Sequence, residues 1–272
     1  MKEKKSERSV IGIFDSGVGG LSVWRELFKE LPFSDFIYLS DNAFCPYGSR
    51  KQQEIVDRVI KAVDFLIKKD VSVIVIACNT ATAAAIETLR KNYTIPFIGM
   101  EPAVKPAAIH SATGVIGVLA TQATFKGKLY NNTLEHFASD VKVIQQAGAG
   151  LVEAVEHDLT DSPQTAELLK NYIMPMVEAG ADHIVLGCTH FPFLADQIRI
   201  VAGNGITIVD PAPAVARHTR NVMAEKGLLQ DKLFSTEGRT LFFSTGETAM
   251  LQKIALSIKP GIPREDFIRI II

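Results

Sequence analysis

Residues 74–86 read IVIACNTATAAAI, and their reading decides the fold. A β-branched, apolar run stops at Cys78-Asn79-Thr80, and an Ala-rich helical pattern follows at once. A short, continuously apolar run is what a strand buried on both faces carries, and such strands belong to parallel sheets covered by helices. The arrangement returns 110 residues later in HIVLGCTHFPFL, residues 183–194, with Cys188 in the position of Cys78. Two thiols in matching strand-to-helix turns suggest a pair.

Outward from this stretch, strands and helices alternate. Val10–Phe14, Phe36–Leu39, Val71–Ala77, Pro96–Gly99, Gly114–Ala120, Val141–Gln145, His183–Leu186 and Thr207–Val209 read as buried strands. Amphipathic stretches at Gln52–Lys69, Thr82–Tyr93, Thr124–Phe137 and Pro163–Ala179 read as helices, with Pro175 expected to kink or divide the last. The pattern predicts an α/β protein built from βαβ units. IGIFDSGVGGLSV resembles IGVLATQATFKG, and VIVIACNTATAAAI resembles HIVLGCTHFPFLADQI, the two elements standing about 65–70 residues apart in each half. The expectation is two pseudo-symmetric three-layer domains with mainly parallel sheets: 1–99 plus 210–272, and 100–209. The site would lie in the cleft between them, and TLFFSTG with the final helix would return to the first domain.

The composition excludes several classes. A net charge of −1 over 272 residues, with no basic patch, argues against nucleic acid and anionic membranes as partners. No apolar run approaches the roughly 18 residues of a membrane span. VIGIF, after MKEKKSERS, is too short for a signal-peptide core, and Asp15 interrupts it. Three cysteines, Cys45, Cys78 and Cys188, fit free thiols in a reducing compartment. A cytoplasmic protein is expected.

Ligands of parallel α/β sheets bind outside the carboxyl ends of the strands. Asp15-Ser16-Gly17, Cys78-Asn79-Thr80, Thr121 and Cys188-Thr189-His190 fall there, and the loop DNAFCPYGSR follows the second strand. Helix N-termini behind most of these clusters offer free N–H groups to an anion. Each cluster also has a plain structural reading. Asp15, Ser16, Asn79, Thr80 and Thr189 are good helix caps. The glycines of DSGVGG can serve close packing, and their spacing matches no nucleotide motif. Buried cysteines are most often small hydrophobes, but a helix N-terminus favours the thiolate, which puts Cys78 and Cys188 forward. Cys45 lacks that setting and reads as structural or incidental. His190 is either a satisfied core histidine or the group that tunes Cys188. No set of residues completes four metal ligands, so no metal is expected. Tyr47-Gly48 is either a packed turn or a ligand-facing loop, and Glu153 and Glu156 read most simply as solvent-facing.

Two thiols on either side of one substrate suit stereoinversion at a carbon bearing a proton. One thiolate removes the proton, and the other thiol delivers one to the opposite face. A Cys–His hydrolase would need one nucleophile and leaves the second Cys without a role. A non-catalytic amino-acid or anion binder on the same scaffold stays open.

GIFDSGVGGLSV, CPYGSR, ACNTATA and GCTHFP together resemble the glutamate racemase family, in that family's order and near its spacing, from about Val10 to Asp210. Aspartate racemases are wider relatives, so aspartate or another acidic amino acid is the alternative substrate. The resemblance implies that Cys78 takes the proton from D-glutamate and Cys188 from L-glutamate. It implies that Asp15 assists Cys78 and His190 assists Cys188. Glu156 best matches the family's catalytic Glu, with Glu153 the near alternative; the Cys-Pro that precedes this Glu in many members is replaced by QQAGAG. Ser16, Tyr47, Gly48, Asn79, Thr80, Thr121 and Thr189, with Asp15 and His190, would hold the substrate. No cofactor is implied. D-glutamate for peptidoglycan synthesis in a bacterial cytoplasm, and a homodimer, are. The short N-terminal tail leads to the expectation that activation by a cell-wall precursor is absent.

Overall fold

The computed structural model describes residues 8–229 and 234–272. The first half runs β1 (Val10–Asp15), α1 (Leu21–Glu30), β2 (Asp35–Ser40), α2 (Gln52–Ile67), β3 (Val73–Ile76), α3 (Asn79–Asn92) and β4 (Phe97–Gly99). The second runs α4 (Val104–His110), β5 (Val115–Ala120), α5 (Gln122–Lys126), α6 (Lys128–Phe137), β6 (Lys142–Ala147), α7 (Leu151–Glu156), α8 (Pro163–Glu178), β7 (His183–Gly187), α9 (Ala195–Ala202) and β8 (Thr207–Val209). The chain ends with α10 (Ala212–Glu225), β9 (Thr240–Ser244), α11 (Ala249–Ile258) and β10 (Phe267–Arg269).

Two sheets form, ordered β10-β9-β2-β1-β3-β4 and β6-β5-β7-β8. Every strand pairing among the described residues is parallel. Within each half the first strand lies between the second and third, and the fourth lies beyond the third, so the two sheets share one topology. VIVI of β3 is buried at all four residues, as a strand covered on both faces must be. The same order puts a topological switch point between β1 and β3 and another between β5 and β7, where adjacent loops run in opposite directions and leave a crevice. β9, which carries the TLFFS run, pairs with β2 in the six-stranded sheet, and β10, which the sequence reading did not anticipate, adds to its edge. Three residues of strand are too few to carry a periodic signal.

One core cluster crosses between the sheets, joining Leu21, Trp24 and Leu27 of α1 to Leu119, Leu151, Leu186 and Phe191. Two expectations for helices need correction. The stretch 124–137 is two helices, because Gly127 takes an extended conformation and approaches Ala83 of α3 so closely that a Cβ would stand 2.8 Å from the Ala83 methyl. Pro175 does not divide α8, which runs on to Glu178. Pro175 falls in the last turn, where the loss of one N–H removes little of the ladder. No described helix is long and apolar enough to cross a membrane.

Candidate active site

The two switch points face each other. Asp15 ends β1, with Ser16 next, and Cys78 follows β3; Thr121 and Cys188-Thr189-His190 follow β5 and β7. Ser16, Tyr47, Gly48, Asn79, Thr80, Thr121, Thr189 and His190 line one small cavity together with both thiols. Its volume, about 10 Å³, is at the threshold for a single water, so an amino acid enters only if the cleft widens.

Cys78 caps α3: its Sγ accepts the Ala81 N–H at 3.4 Å, and Ser16 Oγ lies 3.5 Å from it. This answers why a thiol ends the strand. The helix does not, however, depress its pKa. Burial pushes the Cys78 thiol up to about 12, the Asp15 charge adds to this, and the Ser16 and Ala81 hydrogen bonds only partly offset it. Desolvation outweighs the helix terminus because the cleft is closed.

On the other side, Cys188 Sγ is 3.8 Å from His190 Nδ1, and His190 Nε2 is 2.6 Å from Glu156 Oε1. Burial disfavours charge on His190, but its hydrogen bonds to Cys188, Cys45 and Glu156 more than compensate and hold its pKa well above the ordinary value. Burial alone would raise Glu156, yet His190 and the Val18 N–H hold it low. The pair is therefore imidazolium and carboxylate. Glu153 is exposed and makes no such contact. Asp15 is fully buried and pushed up to about 6, burial winning over His190, the Gly17 N–H and Thr189. Its oxygens accept from Gly17 N at 2.9 Å and Thr189 Oγ1 at 3.0 Å. The side chain hydrogen-bonded to Cys78 is Ser16 rather than Asp15.

Thr80 and Thr121 share a 2.9 Å hydrogen bond across the cleft. Asn79 is 3% exposed, and neither its amide nitrogen nor its oxygen has a partner among the described residues. A buried amide left unsatisfied is costly, and one at a cleft wall marks where a ligand's polar groups go. The Tyr47 ring lines the cavity, but its hydroxyl donates to Asp41 at 2.5 Å instead of facing a ligand. Asp41 in turn accepts both Nε and Nη2 of Arg58, at 2.9 and 2.6 Å, which anchors the loop that carries Gly48. Gly48 lies against Thr121. In DSGVGG, a Cβ on Gly17 would collide with the Glu156 carboxylate and one on Gly19 with the His190 ring, so these glycines let β1's loop close over the opposite wall.

Sequence reasoning put forward the loop that holds Asp41 and Asn42 without giving either a role, missed Arg58, and set Cys45 aside. Cys45 Sγ lies 3.5 Å from Glu156 Oε1, beside His190. Its adjacency to Pro46-Tyr47-Gly48 was the available signal.

Residues 11–219 match the family described as Asp/Glu/Hydantoin racemase. The chain is 47% identical to the glutamate racemase of Roseiflexus sp. (strain RS-1) over 222 residues, 81% of this chain and 82% of that one. It is 43% identical to the glutamate racemase of Deinococcus radiodurans over 253 residues, 92% and 87% of the two chains. In structure it resembles glutamate racemase isoform RacE1 of Bacillus anthracis, with TM-score 0.86, 33% identity and 96% and 97% of the chains covered. It likewise resembles Escherichia coli glutamate racemase in complex with L-glutamate and the activator UDP-MurNAc-ala, with TM-score 0.81, 32% identity and 93% and 96% covered. With two thiols at equivalent switch points and these relatives across most of its length, the chain belongs to the Asp/Glu/Hydantoin racemase family.

Proposed function

We propose that this chain interconverts L- and D-glutamate without a cofactor, Cys78 and Cys188 acting as paired acid/base thiols on opposite faces of Cα. The observation that carries this reading is one cavity lined by both thiols, each at the same position of a repeated topology. On D-glutamate, the Cys78 thiolate takes the Cα proton and the electron pair of the C–H bond moves into the carboxylate carbon's π-system. Cys188 S–H then delivers its proton to the other face, leaving a Cys188 thiolate and L-glutamate. The reverse passage restores the starting state. His190, facing Cys188, and Ser16, facing Cys78, are placed to assist at each sulfur. Asn79, Thr80, Thr121, Thr189, the Gly48 segment and Asp15 would hold the carboxylates and ammonium group. The two sheets would act as domains, 1–99 plus 210–272 and 100–209, that part to admit substrate. An X-ray scattering profile unchanged by D-glutamate would count against this.

The deciding experiment mixes the protein with L-glutamate in D2O with chelator present. The expected result is loss of optical activity together with deuterium at Cα. A folded sample that exchanges neither L-glutamate nor L-aspartate removes the racemase reading; exchange of aspartate alone moves the substrate to the shorter acid. We also infer a homodimer in the cytoplasm that supplies D-glutamate for peptidoglycan, which rests on the family resemblance. Sedimentation as a 29.7 kDa monomer, or growth of a deletion strain without added D-glutamate, would contradict it.

A further inference from the structure

Cys45 serves neither proton transfer in the scheme above, yet it meets two groups that ligate metals well. Its Sγ, a Glu156 carboxylate oxygen and a His190 ring nitrogen lie within 4.8 Å of one another, brought together from the loop after β2, the end of α7 and the turn after β7. They supply one sulfur, one oxygen and one imidazole nitrogen. In tetrahedral Zn2+ sites with bonds of about 2.0–2.3 Å, neighbouring donor atoms stand roughly 3.3–3.7 Å apart. The Sγ to Oε1 separation of 3.5 Å already meets this. The Nε2 to Oε1 separation of 2.6 Å must open by about 0.7 Å. Glu156 cannot swing away, because Asn42 Nδ2 holds its other oxygen at 2.7 Å and Val18 N donates to Oε1 at 2.8 Å. A cation among the three donors takes the place of the thiol and imidazole protons that now point at the carboxylate.

Access comes from a second cavity, of about 370 Å³, lined by Cys45, Glu156, Asn42, Glu153, His157 and Glu247 but by neither Cys78 nor Cys188. Its acidic lining suits a cation, and it has room for the water that completes a fourth position. We propose that Cys45, Glu156 and His190 form a site for a thiophilic divalent cation of the Zn2+ class, whose occupancy stops racemisation. Metal on Nε2 separates His190 from Glu156 and fixes the ring whose Nδ1 faces Cys188. The inhibitory consequence rests on the racemase reading; the binding does not.

The test uses Co2+ and Zn2+ with the full chain. In the Cys78→Ser/Cys188→Ser double variant Cys45 is the remaining thiol, so one equivalent of Co2+ should give a thiolate-to-cobalt charge-transfer band. That band should vanish when Cys45→Ser is added and weaken at least tenfold in affinity with Glu156→Gln, folding being followed by circular dichroism. In the protein with all three thiols, micromolar Zn2+ should stop turnover. Cys45→Ser should need at least tenfold more, relative to its own rate with chelator. No band in the double variant, Zn2+ affinity below that of a micromolar chelator, or inhibition unmoved by Cys45→Ser would overturn the proposal. A cobalt band in a protein that racemises nothing would instead reject the functional reading while leaving the site standing.

Discussion

Replacing Asp15 by Asn should make the protein more stable while making it less active. Asp15 is fully buried, and its pKa is pushed from 3.8 to about 6. An acid whose pKa is raised by folding binds more protons in the native state than in the unfolded chain between those two values. Stability therefore falls as pH rises from about 4 to about 6, and the loss persists above that. The difference between about 6 and 3.8, at roughly 1.4 kcal/mol for each pH unit, comes to about 3 kcal/mol at pH 7. Asn keeps the geometry: its oxygen can accept the Gly17 N–H and its amide can donate to Thr189 Oγ1, which now donates to Asp15. Urea unfolding of both proteins at several values between pH 4 and pH 8 isolates the effect, since every other titrating group is common to the pair. The stability difference should be small near pH 4, grow through pH 5 to 6 and level at about 3 kcal/mol in favour of the variant. Racemisation by the variant should fall, because a neutral amide cannot offer a negative charge to the ammonium group of the substrate proposed above. A variant less stable than the parent at pH 7, or a difference independent of pH, would refute the burial argument.

Cys78→Ser and Cys188→Ser should each slow racemisation by about 10²–10⁴-fold, the range set by loss of one positioned proton carrier; normal rates from both would end the two-thiol account. Gly17→Ala should lower stability by about 1–3 kcal/mol and slow turnover, because the new methyl collides with Glu156 and Cys45; a thermal transition unchanged from the parent would show that the loop yields freely. Arg58→Ala strands the Asp41 carboxylate, which is 0% exposed, and should cost about 3–5 kcal/mol in urea unfolding. A loss under 1 kcal/mol would mean that water reaches the site. Asn79→Ala should raise KM for glutamate without lowering stability, since the amide bonds to none of the described residues; unchanged KM would remove it from the substrate's contacts.

What the sequence revealed, and what it hid, divides along physical lines. β3 and β7 were legible because a strand buried on both faces is apolar along its length, and the β-branched residues and short span of these runs favour strand over buried helix. Cys78 and Cys188 were legible because strand ends are where ligands bind in such sheets. The pairing of Asp41 with Arg58 was invisible because a buried pair 17 residues apart leaves no period, although Asp41 opens the loop already put forward. Cys45 was set aside for lacking a helix terminus, whereas its setting is made by Glu156 and His190, over 100 residues away in the chain. The break at Gly127 was missed because its cause, the approach to Ala83, is tertiary.

Three features of the empty cleft point the same way. Asn79 is buried without partners, Asp15 is held near pKa 6, and the Cys78 thiol is pushed to about 12. Each is a polar group dried out with too little in return. For Cys78, forming the thiolate at pH 7 in this closed state would take about 7 kcal/mol. A turnover of about 10 per second allows a total barrier of roughly 16 kcal/mol, and forming the thiolate in this state would by itself take nearly half of that. The closed, empty cleft is therefore not the reactive form. On the proposed function, a ligand carrying an ammonium group would bring positive charge beside Asp15 and Cys78, and its carboxylates would offer acceptors to the Asn79 amide. The first change would favour the thiolate, and the second would relieve the unpaired amide. On this reading, binding of the substrate and activation of Cys78 are coupled, the ammonium charge offsetting the burial that disfavours the thiolate in the empty site.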